Sequence, residues 1–535
     1  MACIETLVIV ILSVSARVTS LNTSDANMDP VTAQLPDYKM RTPIPGVLTT
    51  SAGRPVDVSE ARTLGRSLAT NLFALEAIKH AVSERRPDRP VFAKAIAAKG
   101  VLEVKHDVTR YTKAKLFEHV GKVTPLIARF STSQIQKGGN DAAPYTARGL
   151  SMKFYTEEGN FDLLGFNVPV YFYREPIGFV ELLHALGLNP QTNLLDISAT
   201  MDMATLSPVM LHMLLWSLSE RGLPRGFRRM SGHPLHTYEL YNDQGEVFYA
   251  RFRFQADLPY ESISLEQAAA LNAYDPDLFI RDLYNSIERQ NYPTWTFEMD
   301  VLNDDLDQVT FDPFDLTKIW PNGTFTTVQI GTITLNRNVD NAFAENEDLA
   351  LYPGNLVPGI NPPHDQVFAA RMYAYFDSQM NRLGSNYNKI EVNRPLYART
   401  FTRDGAPPLR DNEGDRVNYY GSSFHGARPV HDPDKPDRVF KTNEVEEADY
   451  EACRRFYNEV MATDAQKNRL VKNMVLTTLR AHHSLQLRLL ELLSKVDADF
   501  AKRYEVTLDL AKAKVRLPQT VDDVDPNHLN PYADL

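Results

Sequence analysis

The chain has 535 residues, of which 43% are hydrophobic and 23% charged, proportions that are typical of a soluble globular protein. This composition excludes a mostly disordered chain and a protein with many membrane spans. The net charge of −11 argues against a nucleic-acid partner, which requires a basic surface, and two cysteines, Cys3 and Cys453, are too few for a thiolate zinc site.

The N-terminus carries a short apolar run, Leu7–Val14, followed by small residues. The run is too short to cross a bilayer and fits a secretory signal peptide, although Glu5 stands where a positive charge is usual. The alternative is a buried or irregular N-terminal segment. We therefore predict a signal peptide over residues 1–20 and a secreted protein. The last residues, Tyr532–Leu535, are not a peroxisomal tripeptide.

Residues 21–90 show no strong period except an apolar helical stretch near 64–78, and we predict an N-terminal arm. From 91 to 337, strand-like runs recur and predict an antiparallel sheet or barrel. A helical insert, Met203–Arg221, interrupts them. The predicted strands are Leu126–Phe130, Gly149–Tyr155, Val168–Tyr173, Val247–Phe254 and Thr326–Leu335.

Residues 338–443 are rich in Pro, Asn, Asp and Gly and contain one clear helix, Asp365–Leu383. Long irregular segments are uncommon in compact domains, so we predict that this one wraps over the barrel or over a partner subunit. Residues 444–512 return to helical periodicity and predict a C-terminal helical domain, which a tail over 513–535 follows.

The helix in the wrapping segment places Arg371 and Tyr375 four residues apart, on one face. A guanidinium beside a phenol favours the phenolate, and tyrosinate is a known proximal ligand of haem iron. On spacing alone, a surface arginine packed over a tyrosine ring is the better interpretation. Three further arginines, Arg89, Arg129 and Arg382, are candidates to pair with carboxylates such as haem propionates.

Several long segments resemble the monofunctional haem catalases, over about residues 70–505. The resemblance implies an α+β catalase fold: an eight-stranded antiparallel β-barrel over 91–337, the N-terminal arm, the wrapping segment and the C-terminal helical domain. It also implies a homotetramer with ferric haem b in each subunit. The matching segments are His119–Thr132, Arg148–Gly165, Phe311–Pro321, Leu335–Glu345 and Arg371–Arg382.

The resemblance gives roles to the candidate haem residues. Tyr375 becomes the iron ligand, and Arg371 the residue that keeps it ionised. The three arginines become partners of the propionates, and Phe179 becomes a contact of the haem. Gln379 replaces a histidine near a propionate.

The distal side departs from the family pattern at two positions. In the run Arg89–Lys94 (RPVFAK), Phe92 stands where the family has its distal histidine. Phe166 stands where the family has its distal asparagine, unless a slip of one residue puts Asn167 there. Ser131, which would orient the histidine, is retained, and Thr146 falls where the family has an aspartate of the access channel.

The resemblance supports a nucleotide site only in part. His212, Ser219, Arg221 and Trp320 fit the family's NADPH positions, but Gln255 replaces a lysine and Asn322 a histidine. Loss of the lysine weakens phosphate binding. NADPH is therefore the weaker of the two cofactor predictions.

Three functions remain open from the sequence. The first is a secreted haem-binding catalase homologue that has lost most hydrogen-peroxide dismutation. It would hold haem, bind a small apolar molecule or peroxide over the iron, or serve as a structural oligomer. The second is an active haem oxidoreductase: a catalase, a peroxidase, or an enzyme that converts organic hydroperoxides. The third is a haem-free scaffold, against which the conserved chemistry of Arg371, Tyr375 and the three arginines argues.

Overall fold

The computed structural model describes residues 29–63, 68–133, 138–144, 146–303, 305–420, 425–436 and 447–514. The predicted signal peptide over 1–20 and the tail from 515 onward lie outside these residues. The described chain forms two compact units, one made of 29–85 with 284–291 and one made of the remainder.

The first unit contains the helices α1 (Gln34–Arg41), α2 (Val58–Ala61) and α3 (Leu72–Ser83). The predicted helix near 64–78 is therefore found, but it begins later. Its start is set by Asn71, whose side chain accepts a hydrogen bond from the Ala74 amide at 3.0 Å, as an N-cap residue does.

The second unit is built around one antiparallel sheet, with the order β4-β3-β2-β1-β8-β7-β6-β5-β9 among the described residues. Strands that are adjacent in the sheet are consecutive in the chain, except where β1 pairs with β8 and β5 pairs with β9. The strands are β1 Ala95–Val104, β2 Val123–Thr132, β3 Arg148–Thr156, β4 Gly159–Phe166, β5 Tyr238–Tyr241, β6 Val247–Ala256, β7 Thr294–Leu302, β8 Phe325–Asn338 and β9 Ile360–Asn361.

Aromatic side chains from strands that are not neighbours in the sheet meet inside it. The ring centroids of Phe154 on β3 and Phe297 on β7 are 5.9 Å apart, and those of Phe161 on β4 and Phe252 on β6 are 6.1 Å apart. Such contacts require the sheet to curl until opposite strands face each other. The predicted eight-stranded antiparallel barrel is thereby confirmed by β1–β8, with β9 a two-residue addition.

Four of the five predicted strands are confirmed, because they lie within β2, β3, β6 and β8. The fifth, Val168–Tyr173, is wrong: this segment is irregular, although Val168 and Val170 are buried. Pro169 has no N–H to give to a ladder, and the run is apolar because it packs into the interior rather than because it pairs.

The helices of the second unit lie in insertions between the strands, in the wrapping segment and in a group of four at the C-terminal end. The helical insert is found as α5 and α6, and the helix of the wrapping segment as α9. The helices are α4 Gly178–Ala185, α5 Ile197–Leu206, α6 Leu211–Leu218, α7 Leu265–Tyr274, α8 Leu278–Glu288 (whose end belongs to the first unit), α9 Gln366–Leu383, α10 Glu447–Arg455, α11 Asp464–Thr478, α12 His483–Val496 and α13 Ala498–Lys514.

Short helical turns complete the chain. They are the 3₁₀ turns Pro30–Thr32, Leu68–Thr70, Lys115–Phe117, Pro208–Met210, Glu220–Gly222, Phe227–Arg229 and Tyr387–Lys389, and the π-helical turns Phe343–Glu347 and Phe456–Val460.

The C-terminal helices and the helical insert share one apolar core. Leu211 and Leu215 of α6 pack in it with Val475 of α11, Leu489 of α12 and Phe500 of α13. In the part of the chain that is described, no helix is both long and apolar enough to cross a membrane.

The segment that follows the barrel lies against its first strands. The Tyr155 hydroxyl on β3 donates to the Val392 carbonyl at 2.7 Å, and the Asn160 amide on β4 donates to the Asn393 carbonyl at 2.8 Å. These bonds hold the chain that leaves α9 along the hairpin of β3 and β4.

Candidate functional site

A cavity lies in the second unit, between α9, the inner ends of β2–β4 and the chain at 89–92. Its walls are mostly apolar and aromatic, which is typical of sites for small molecules and cofactors. It brings together seven sequence-predicted residues: Arg89, Phe92, Arg129, Ser131, Phe166, Arg371 and Tyr375, with Phe179 and Gln379 beside them.

The wall formed by α9 carries the predicted proximal pair. Arg371 Nη2 lies 3.4 Å from the Tyr375 hydroxyl oxygen, and the Arg371 guanidinium carbon lies 5.4 Å from the centre of that ring. Arg371 is buried, which by itself lowers its pKa, but the phenol oxygens of Tyr375 and Tyr171 raise the pKa above its usual value. A permanent positive charge therefore sits beside the Tyr375 oxygen, where it stabilises the phenolate.

Two residues that the sequence did not predict hold Arg371 in place. Arg371 Nη1 lies 2.6 Å from His236 Nε2, and His236 Nδ1 lies 2.8 Å from Asp365 Oδ2. An arginine can only donate, so Nε2 accepts and the His236 proton is on Nδ1, facing the carboxylate. Burial lowers the pKa of His236, which keeps the ring neutral in this role.

Asp365 is also the N-cap of α9, because its other carboxylate oxygen accepts from the Phe368 amide at 2.7 Å. Asp365 is the first residue of the helix that the sequence predicts. His236 lies far away, in the loop before β5, and no spacing rule connects it to α9.

The opposite wall is aromatic. The rings of Phe92 and Phe166 stack with centroids 5.4 Å apart and an angle of 26°, and Phe166 stacks in turn on Tyr171 at 5.4 Å. Phe92 has a φ of 59°, in the left-handed region that bulky residues seldom adopt. Arg129 holds this backbone, since its Nη2 donates to the Phe92 carbonyl at 2.9 Å.

Ser131 lies under the Phe92 ring, across Gly149. A Cβ on Gly149 would lie 2.5 Å from Ser131 Oγ and 3.4 Å from Phe92 Cδ1, so a glycine is required at this position. The structure therefore places Ser131 next to residue 92, as its predicted role requires.

Asn167 does not enter the cavity. Its side-chain oxygen accepts from the Arg148 amide at 2.8 Å, and its side-chain nitrogen donates to the Arg221 carbonyl at 3.4 Å. The residue that lines the cavity is Phe166. The structure therefore does not show the slip of one residue that would make Asn167 the distal amide. Thr146, whose carbonyl accepts from Arg148 Nη1 at 3.1 Å, is not among the lining residues.

The three predicted carboxylate partners form a buried cationic cluster, of which Arg89 and Arg129 line the cavity and Arg382 lies behind them, outside its lining. Arg129 is buried, and burial lowers its pKa to about 10. Arg89 Nη2 donates to the Leu349 carbonyl at 2.8 Å, and Arg382 donates to the Glu347 carbonyl at 3.1 Å and to the Gln379 side chain at 3.3 Å.

This cluster has donors to spare. Arg89 Nη1 and Arg382 Nε are buried and have no hydrogen-bond partner in the described structure. Buried donors without partners are costly, so such atoms indicate a missing acceptor. Buried arginines beside an apolar cavity suit the two propionate carboxylates of a haem, and the phenol of Tyr375 on the cavity wall suits its iron. The residues present therefore fit haem.

The residues predicted for NADPH make contacts within the described chain. His212 is buried, with Nδ1 2.9 Å from the Thr317 carbonyl and Nε2 accepting from Trp216 Nε1 at 3.2 Å. Ser219 Oγ donates to the Trp216 carbonyl, and Trp320 Nε1 donates to the Pro313 carbonyl at 3.0 Å. Arg221 stacks over Tyr260, with the guanidinium 4.8 Å from the ring centre.

His212 leads to a prediction about acid stability. Burial lowers its pKa to about 4, against 6.5 in an unfolded chain. As the pH falls, the unfolded chain therefore takes up this proton before the folded chain does. The contribution of neutral His212 to the free energy of unfolding is fully present above pH 6.5 and is lost as the pH falls toward 4. Glutamine keeps a donor and an acceptor but takes up no proton. We therefore expect the decrease in the free energy of unfolding at low pH to be smaller in His212→Gln than in wild type by roughly 3 kcal/mol. Urea unfolding at pH 7 and pH 4.5 measures it, and an unchanged pH slope in the variant would contradict it.

Comparison with known proteins places the chain in a family. A family model described as "Catalase" matches residues 49–426. The catalase of Sus scrofa is 37% identical over 502 residues, covering 91% of this chain and 95% of that protein. The catalase of Methanosarcina barkeri (strain Fusaro / DSM 804) is 39% identical over 479 residues, covering 87% of this chain and 94% of that protein.

Solved structures agree. Catalase A from Saccharomyces cerevisiae superposes with a TM-score of 0.81 at 30% identity, covering 86% of this chain and 99% of that one. The chain belongs to the catalase family. This membership confirms the sequence resemblance and the catalase fold, implies a haem cofactor, and supports a catalase-type oxidoreductase function directed at hydrogen peroxide.

Proposed function

We propose that this protein is a haem-binding catalase homologue in which dismutation of hydrogen peroxide is strongly impaired. The observation that carries the proposal is the stacked pair Phe92 and Phe166, which lines the same cavity as Tyr375. Family resemblance aligns these two positions with the distal histidine and asparagine.

Tyr375 would hold the iron of ferric haem b, and Arg89, Arg129 and Arg382 its propionates. Bound haem supplies a redox-active iron that can react with peroxide. Arg371, held in place by His236 and Asp365, puts its positive charge 3.4 Å from the Tyr375 oxygen, the atom that would bind the iron. The electron-donating half of a catalase site is therefore present.

The proton-transferring half is missing. Dismutation moves a proton from one peroxide oxygen to the other, a task for a general acid–base with a pKa near neutrality. Among the described residues that line the cavity there is no histidine and no carboxylate. The two phenols on the wall, Tyr171 and Tyr173, are unsuitable because burial raises the pKa of each above its usual value. The aromatic stack also excludes water and peroxide from this wall.

A second candidate is an enzyme that converts organic hydroperoxides. The apolar lining of the cavity favours it, because such a lining accepts a hydrocarbon chain better than hydrogen peroxide. It shares the proximal side with the first candidate and differs in substrate.

We also propose the homotetramer that the resemblance implies. Light scattering of the purified protein should give about four times the mass of one chain, the value expected for a closed symmetric tetramer, and a stable monomer would contradict it.

The absorption spectrum of the purified protein tests the function. A ferric tyrosinate haem spectrum is expected, with little oxygen released after hydrogen peroxide is added. Rapid oxygen release would overturn the proposal. A spectrum that responds only to an organic hydroperoxide such as cumene hydroperoxide would favour the second candidate. A protein without a haem spectrum would exclude both.

A further inference from the structure

The cavity wall carries a pair of hydroxyl groups that the proposed function leaves unused. The hydroxyl oxygens of Tyr171 and Tyr173 lie 3.0 Å apart, within hydrogen-bond distance, and both side chains line the cavity. Each residue is only 5% exposed. Every other aromatic residue on this wall is a phenylalanine.

The two rings are fixed in place by their surroundings. Tyr171 stacks on Phe166 at an angle of 15°, and its amide donates to the Leu316 carbonyl at 2.9 Å. Tyr173 packs on the start of α4, where a Cβ on Gly178 would lie 2.9 Å from Tyr173 Cγ. The chain therefore makes room for the second ring with a glycine, and the hydroxyl pair is held rigidly.

The pair has a surplus donor. Two phenols carry two O–H protons, and the bond between the oxygens uses one. The described structure gives no further hydrogen bond to either hydroxyl. Burial raises the pKa of both groups, so each keeps its proton and acts as a neutral donor. A buried donor without an acceptor is destabilising, and a ligand oxygen in the cavity would remove that cost.

We propose that the Tyr171–Tyr173 hydroxyl pair is a ligand-binding site, which selects small apolar molecules that carry one acceptor oxygen, such as a ketone, an ether or a hydroperoxide. The site rests on the proposed haem-protein function, because it is a wall of the same cavity. Its neutral donor binds and orients a ligand, but it shuttles no proton. The hydroxyl pair therefore accounts for the kind of ligand that an aromatic catalase cavity still binds when it no longer binds hydrogen peroxide well.

Two probes of similar shape test the site: cyclohexanone, which has the acceptor oxygen, and methylcyclohexane, which lacks it. Binding is measured by titration calorimetry on the haem-containing protein as purified, with Tyr171→Phe, Tyr173→Phe and the double variant. We expect wild type to prefer cyclohexanone, and the double variant to bind it about fivefold more weakly, the value of one hydrogen bond. Methylcyclohexane affinity should not fall.

The matched control is Tyr504→Phe. Tyr504 is also a buried tyrosine, with its hydroxyl 2.7 Å from Thr478 Oγ1, but it lies in the C-terminal helical domain. The Tyr504→Phe variant should bind both probes as wild type does.

Cyclohexanone affinity that is equal in wild type and the double variant, or no cyclohexanone binding by wild type, would overturn the proposal. Haem content is measured on the same samples from the absorption spectrum. Haem retained without a ketone preference overturns this site alone, whereas a purified wild-type protein without haem overturns the proposed function.

Discussion

Tyr375→Phe is expected to lose most of its haem and the whole tyrosinate absorption spectrum. Phenylalanine keeps the ring that packs against Leu351 and Val392 but has no oxygen to bind iron. Removing even an outer-shell partner of a metal ligand typically costs 10–100-fold in affinity, so the loss of the ligand should cost at least about 100-fold. Haem per chain is measured by absorbance after gel filtration.

The control for this variant is Tyr373→Phe, on the same helix. Tyr373 is 78% exposed, so removal of its hydroxyl should leave the cavity unchanged. It should retain haem as wild type does. An unchanged haem content and spectrum in Tyr375→Phe would remove Tyr375 from its assigned role.

Restoring the two polar distal residues, with Phe92→His and Phe166→Asn together, is expected to raise oxygen release from hydrogen peroxide by about 10²–10⁴-fold per haem. This corresponds to about 3–5 kcal/mol of barrier, the value of a positioned general acid–base. The backbone should accept the change, because residue 92 has a φ of 59° and histidine adopts this region more readily than phenylalanine does. Ser131 already lies beside residue 92.

Two comparisons separate proton transfer from simple access. Either single replacement should recover less than the double variant, since the two groups act on one bound peroxide and behave as a unit. Phe92→Leu with Phe166→Leu opens space without adding a proton-transfer group, and it should recover little. Equal gains in the leucine and the histidine–asparagine variants would show that access, rather than acid–base chemistry, limits turnover.

Much of the site could be predicted from the sequence because its parts are local. Arg371 and Tyr375 share one helix face, and residues 89–94 and 162–167 align without gaps. His236 could not be found in this way, since its contacts with Arg371 and Asp365 join a loop before β5 to α9 through space. The contact between Tyr171 and Tyr173 was not predicted, because their segment was predicted as a strand. A strand would have placed both rings on one face of the sheet but not at a cavity.

The barrel was predicted in class but not in full detail. Strands β1, β4, β5, β7 and β9 were not among the strands named as examples from the sequence, and two of them show why. β1 is buried along much of its length and begins with small residues, so polar and apolar positions do not alternate clearly. β9 has two residues, Ile360 and Asn361, and exists because β5 offers it a free edge.

Oxygen release per haem by the wild-type protein in hydrogen peroxide tests the central claim most directly. An oxygen electrode gives the rate, absorbance at the haem band gives the amount of cofactor, and an ordinary catalase such as that of Sus scrofa serves as the reference. The account predicts that haem is present and that turnover lies at least about 100-fold below the reference, the lower end of the value of a general acid–base. Turnover equal to the reference would contradict it and would require another group on the wall of Phe92 and Phe166 to carry the proton.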